Sequence, residues 1–136
     1  MKVVIDTNVL VSGLLNPDGI PGQVMNLLLF GRIQALYDIR IMAEYREVLL
    51  RPKFGFEPAD IETLLSFIRG SGMPVVPEQS KTFFRDDADR KFYEIAIAGG
   101  TEFLITGNTV HFPSSTKKIY IVTPRRFLEV YLSGTR

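Results

Sequence analysis

Four polar residues fall where the surrounding apolar pattern turns them toward a protein interior. Asp6 ends the apolar run Val3-Val4-Ile5, and Asn108 follows the run Phe103-Leu104-Ile105 through Thr106-Gly107. Glu44 lies three residues after Ile41 and four before Val48, on the margin of a helical stripe that packs inward. Asp89 is three residues before Phe92 and seven before Ala96, so it extends the apolar face of its own helix at the first turn. An acid on a core-facing stripe destabilises a fold by several kcal/mol unless its charge is compensated. Acids from separate elements would also repel one another without a shared cation. Hard divalent cations such as Mg²⁺ accept carboxylate oxygens and keep part of their water shell, which leaves positions for a phosphate and an attacking water. The set therefore reads as a metal site. Each member also has a plainer reading: Asp6 capping a turn with Thr7 and Asn8, Glu44 as a solvated helix residue, Asp89 as a first-turn acid favoured by the helix dipole, and Asn108 as a turn residue.

The elements that must position these groups are short apolar runs alternating with helical patterns. Val3-Val4-Ile5 has the continuous apolar character of a central strand buried on both faces. Asn16 to Gly22 reads as a loop from its turn chemistry, and Val24, Leu27, Leu28 and Gly31 then follow helical spacing. A strand is expected near Ala35-Leu36-Tyr37, with Asp38 in a loop after it. A helix from about Ile41 to Leu50 stops at Arg51-Pro52. Pro58 opens a helix with Ile61, Leu64, Leu65 and Ile68 on one stripe, closed by Gly70, and Pro74-Val75-Val76-Pro77 suits a short edge strand. Asp86 or Asp87 caps a helix whose Phe92, Ile95, Ala96 and Gly99 share a face, ended by Gly99-Gly100. Phe103 to Ile105 and Ile119 to Val122 complete the strands. The pattern predicts an α/β fold with a parallel sheet and right-handed crossovers, whose ligands bind outside the carboxyl ends of the strands.

At 136 residues and 46% hydrophobic, the chain suits one domain over 1–136. No apolar stretch approaches the roughly 20 residues that span a bilayer, and the N-terminal run meets Asp6 too soon for a signal-peptide core, so a cytoplasmic protein without membrane attachment is expected. The absence of cysteine excludes disulfides, thiolate zinc sites and a cysteine nucleophile. A net charge of +1 conceals an asymmetry: 11 Lys/Arg against 14 Asp/Glu over residues 1–116, but five against one over 117–136. A basic tail beside an acid-rich body suits an enzyme that holds metal and phosphate, although such tails are common on proteins of many kinds.

The string Val4-Ile5-Asp6-Thr7-Asn8-Val9-Leu10 resembles the opening of PIN-domain proteins, where a strand delivers an Asp followed by Thr/Ser-Asn. Ala43-Glu44-Tyr45-Arg46-Glu47-Val48-Leu49 with Arg51-Pro52-Lys53-Phe54 resembles the second acidic motif of a PIN subfamily, the VapC-like toxins of toxin–antitoxin pairs. Arg85-Asp86-Asp87-Ala88-Asp89-Arg90-Lys91-Phe92 is similar to that subfamily's acidic helix start, and Ile105-Thr106-Gly107-Asn108 to its strand-end motif. The resemblance covers nearly the whole chain, with all four motifs in order. It implies a three-layer α/β/α sandwich on a five-stranded parallel sheet, Mg²⁺ or Mn²⁺ as cofactor, and hydrolysis of RNA. Asp6, Glu44 and Asp89 would be the catalytic metal ligands, with Asn108 offering a neutral oxygen. Asn108 departs from the family, where many members have Asp, and Ala88 with Arg90 thins the acids beside Asp89.

Under this reading Thr7, Asn8 and Thr106 position ligands or the scissile phosphate, though purely local turn roles suit Thr7 and Asn8 as well. Arg46, Arg51, Lys53, Arg85, Lys117 and Lys118 lead the candidates for RNA-backbone contacts, followed by Arg40, Arg90, Lys91, Arg125 and Arg126; each could equally be a solvated surface residue. Tyr45, Phe54, Phe56 and Phe112 could stack on bases or belong to the core. His111, the only histidine, suits a structural loop position, a general-base role or a contact to the metal. The resemblance further implies a homodimer restrained by a small antitoxin. Asn108 keeps open a catalytically impaired PIN-like module that binds RNA or protein. An aspartyl-phosphate phosphatase is disfavoured because the position two after Asp6 is Asn8, and no phosphate-binding glycine motif of a nucleotide-binding module occurs.

Overall fold

The computed structural model describes residues 1–114 and 119–134. The strands are β1 (Lys2–Ile5), β2 (Gln34–Tyr37), β3 (Met73–Pro74), β4 (Phe103–Ile105) and β5 (Tyr120–Val122). The α-helices are α1 (Thr7–Leu15), α2 (Ile20–Leu29), α3 (Ile39–Leu49), α4 (Pro58–Ser71), α5 (Arg90–Gly99) and α6 (Pro124–Ser133). All strand pairs are parallel, in the order β3-β2-β1-β4-β5. Helices α1, α2 and α6 pack together on one face, and α3, α4 and α5 on the other. This is the expected α/β/α sandwich.

The strand runs are legible because a strand covered on both faces is apolar at successive positions: Val3, Val4 and Ile5 are each at most 1% exposed, as are Phe103, Leu104 and Ile105. The sheet grows outward in opposite directions from β1, so the carboxyl ends of β1 and β4 flank the topological switch point where open α/β sheets form their crevice. The Asp6 N–H donates to the Ile105 carbonyl at 2.9 Å and the Thr106 N–H to the Val122 carbonyl at 2.9 Å, which extends the pairing past the strand ends and fixes Asp6 beside Thr106.

Several sequence expectations are corrected. Thr7 to Leu15 is helical, entering directly from the strand, because Gly13 lets α1 approach α2: a Cβ there would meet Met25 Cγ at 2.5 Å. The loop expected over Asn16 to Gly22 ends three residues early, since α2 begins at Ile20 with Pro21 in its first turn, and Gly31 lies beyond the helix at φ 74. The helix expected to close at Gly70 runs on to Ser71, and the edge strand falls at Met73–Pro74 rather than Pro74 to Pro77. The basic C-terminal segment carries α6, with Phe127, Leu128 and Val130 buried against the sheet, so it belongs to the core as much as to the surface.

Asp38 is no loop acid. It caps α3, accepting the Ile41 N–H at 2.9 Å, and is 7% exposed beside Arg40, whose guanidinium lies 2.6 Å from Asp38 and 2.8 Å from the buried Glu94. Glu94 also accepts the Ser80 N–H at 2.8 Å, tying the segment before α5 to that helix.

Candidate active site

Asp6 sits between β1 and α1. Its backbone caps the helix, but its carboxylate makes no capping bond; it accepts from the Thr106 hydroxyl at 2.7 Å. The turn-cap reading of its side chain therefore gives way to a carboxylate aimed across the β1–β4 crevice. Thr106, fully buried, in turn accepts the Asn108 N–H at 3.0 Å, and Asn8 accepts the Gly107 N–H at 3.2 Å through its Oδ1. Thr106 and Asn8 thus lace the ends of β1 and β4 together.

Helix α3 brings Glu44 to the same cleft. The helix is pinned to β1 by Tyr45, fully buried, whose hydroxyl donates to the Ile5 carbonyl one residue before Asp6. The Thr7 hydroxyl donates to Glu44 Oε2, and the Lys91 ammonium lies 2.6 Å from Glu44 Oε1. Tyr45 is pushed well above the ordinary phenol range by burial, with the Asp6 and Glu44 charges adding to it.

Asp89 closes a single 3₁₀ turn (Asp87–Asp89) that Asp86 caps through the Ala88 N–H at 3.0 Å and that leads into α5. His111 Nδ1 lies 3.6 Å from Asp89 Oδ2, too far for a hydrogen bond, and that buried oxygen has no hydrogen-bond partner among the described residues. Burial raises the Asp89 carboxyl above its usual range, helped by Asp86 and opposed by His111 and Lys91. Asp6, itself 6% exposed, is pushed up to about 6 by burial against the Thr106 hydrogen bond, with the Asp89 and Glu44 charges adding to the rise.

Three acids from three elements thus line one open cleft with Thr7, Asn8 and Phe54. Asn108 stands apart, with Asn8 and Gly107 in the adjoining recess. Among the described residues no three acidic or imidazole side chains converge closely enough to form a cation site as they stand. The donor chemistry nevertheless fits a hard divalent cation: Asp6 is desolvated among like charges, and Asp89 keeps a buried oxygen without a donor. Glu44, by contrast, already has a cation in Lys91.

The remaining candidates divide clearly. Thr7 and Thr106 bond directly to candidate ligands, so their expected positioning role falls on the acids. Arg46 pairs with Glu62 at 3.2 Å and Arg51 with Glu47 at 2.8 Å; Lys53 lies over the Phe54 ring at 5.1 Å. Lys117 and Lys118 lie outside the described residues. Arg90 is structural, bonding the Ser80 and Thr82 carbonyls. Tyr45 and Phe112 are buried and belong to the core, whereas Phe54 lines the cleft, stacked on Phe56 at 5.7 Å. Lys91, expected as an RNA-backbone candidate, is instead paired with Glu44, and His111, expected as a structural, general-base or metal-contacting residue, faces Asp89; a lysine in the first turn of α5, against the helix dipole, was the available signal for Lys91.

Residues 2–110 match the PIN domain profile. Over 96% of its length the chain is also similar, at 30% identity, to an uncharacterized protein of Methanocaldococcus jannaschii, of which 92% is covered.

Proposed function

The chain belongs to the PIN-domain family, and from that premise we propose that it is a metal-dependent endoribonuclease that hydrolyses RNA phosphodiester bonds. The observation that carries this reading is the cleft at the β1–β4 switch point, which Asp6, Glu44 and Asp89 line from three elements, two of them held above the ordinary carboxylate range. Groups left so unfavourably placed in a pocket commonly serve chemistry rather than stability.

Asp6 and Asp89, with Glu44 once Lys91 yields it, are the residues that would hold Mg²⁺ or Mn²⁺. Held there, such a cation would supply Lewis acidity for hydrolysis of the phosphodiester by water to a 5′-phosphate and a 3′-hydroxyl. The chain's own groups prepare the site. Thr106 orients the Asp6 carboxylate, Thr7 orients Glu44, and Tyr45 anchors α3 so that both acids face one cleft. Asn8 holds the β4 end, and Asn108 faces the neighbouring recess, where its amide suits a contact to the strand or to water. Lys53, Arg85 and Arg125 are the candidate backbone contacts without an ion-pair partner among the described residues.

The same reading extends to a toxin of a toxin–antitoxin pair, acting in the cytoplasm as a homodimer restrained by a small antitoxin; its support is the subfamily-like motifs around Glu44 and Asp89. No helix among the described residues is long and apolar enough to cross a membrane. A second reading, an impaired PIN-like binding module, is favoured by the Lys91–Glu44 ion pair and by the lack of a converged acid trio. Cleavage of single-stranded RNA separates the two: the nuclease reading expects products with Mn²⁺ or Mg²⁺, none after chelation, and none with Asp6→Asn. Binding without cleavage at saturating metal overturns it in favour of the module.

A further inference from the structure

Beside the acid cleft lies a second open pocket, of about 530 Å³, lined by Thr82, Phe83, Arg85, Val110, His111 and Phe112. Its rim is unusual in its exposure: Phe83 is 86% exposed and Val110 89% exposed, while the buried Phe84 and Phe112 pack edge to face and supply the local core. These two side chains are therefore not needed to hold the segments together. The pocket adjoins the site through His111, which lines it and whose Nδ1 lies 3.6 Å from Asp89 Oδ2.

We propose that this pocket seats one unstacked nucleobase of the single-stranded substrate, next to the phosphodiester held at the acids. The proposal rests on the nuclease reading and names what its substrate must present there. A strand being cleaved must splay its bases from the backbone, and a base offers a flat apolar face together with polar edges. Phe83 and Val110 supply the apolar surface for that face. Arg85, exposed and without an ion-pair partner among the described residues, supplies a cation for the adjoining phosphate or for stacking on the ring. A protein partner covers a broad patch. Here the apolar surface is confined to a concave pocket between a cation and an acidic site, and that combination complements a nucleotide. Because stacking reads the π-face, which every base has, the subsite confers a preference for unpaired strands more than for a sequence.

The test uses Asp6→Asn protein in Mg²⁺, so that the strand stays whole, with fluorescence anisotropy of short single-stranded RNA and of versions carrying one abasic nucleotide at successive positions. One abasic position should weaken binding about tenfold, and Phe83→Ala should weaken binding to intact RNA by a similar factor, roughly the loss of one stacked base. Phe83→Ala should then be indifferent to that abasic position while remaining sensitive to Arg85→Ala. The melting temperature should be unchanged, since Phe83 is exposed. A deoxyribose strand of the same sequence should lose as much on Phe83→Ala, because the sugar is not what is stacked. If Phe83→Ala binds intact RNA as tightly as its parent, or both respond alike to every abasic position, the subsite is refuted while the nuclease reading stands. If the parent binds no oligonucleotide at all, the nuclease reading falls and the subsite with it.

Discussion

Asp6→Asn should stabilise the metal-free protein while removing its activity. The carboxyl rises from 3.8 to about 6 on folding, chiefly because burial disfavours its charge. A carboxyl raised in this way favours the folded state only while protonated. Stability is lost as pH climbs from about 4 through about 6, and the full penalty persists above that. At about 1.36 kcal/mol per tenfold, the rise is equivalent to about 3 kcal/mol. Asparagine keeps the shape and an oxygen that can accept the Thr106 hydroxyl, yet has no charge to desolvate. Urea denaturation of metal-free wild type and variant should thus give nearly equal stabilities below about pH 4 and diverge by about 3 kcal/mol, or roughly 10 °C in Tm, above about pH 7. A divalent cation should reverse the order by stabilising wild type much more than the variant. A difference independent of pH, or a variant less stable at every pH, would refute the assignment of the strain to the Asp6 charge.

Two further substitutions probe the surroundings. Lys91→Met removes the ammonium 2.6 Å from Glu44 in a partly buried pair, so the metal-free protein should lose about 2 kcal/mol in denaturant titration. The same variant should bind Mn²⁺ more tightly by calorimetry, because Glu44 is released; unchanged affinity would mean that Lys91 does not compete with the metal. Asp38→Ala removes the α3 cap and one of Arg40's two acids, and should lower stability by about 1–2 kcal/mol while leaving metal affinity intact; an unchanged denaturation midpoint would contradict the capping role.

How much of this was legible in the sequence depended on whether a group's environment is local. The strands β1 and β4 could be read because burial on both faces leaves unbroken apolar runs, and the helices α4 and α5 because a one-sided stripe repeats at helical spacing. Asp6, Glu44 and Asp89 stood out for the same reason, as acids continuing stripes that turn inward. Helix α1 was not legible: Asp6-Thr7-Asn8 carries turn chemistry, Gly13 lowers helix propensity, and what holds the segment helical is its close fit on α2. Asp38 looked like a loop acid although its cap to the Ile41 N–H and its pair with Arg40 are local; what the sequence did not reveal is that Arg40 also reaches the buried Glu94 on α5, which the packing of α3 on α5 brings about. Lys91 facing Glu44, and His111 facing Asp89, depend on how three elements converge, which spacing along one of them does not encode. Phe83 escaped notice for a related reason: its exposure is a property of the loop path, whereas Phe112, which looked equally able to stack, is buried against Phe84.

On the proposed reading, Asp6 and Asp89 build a divalent-cation site in the β1–β4 cleft. Anomalous diffraction from a crystal soaked in Mn²⁺ tests it most directly. The expected result is a peak within ligating distance of the Asp6 carboxylate and Asp89 Oδ2, with the Lys91 ammonium withdrawn from Glu44, and no such peak in an Asp6→Asn crystal. A fully soaked wild-type crystal with no manganese in this cleft, and with Lys91 still seated on Glu44, would contradict it.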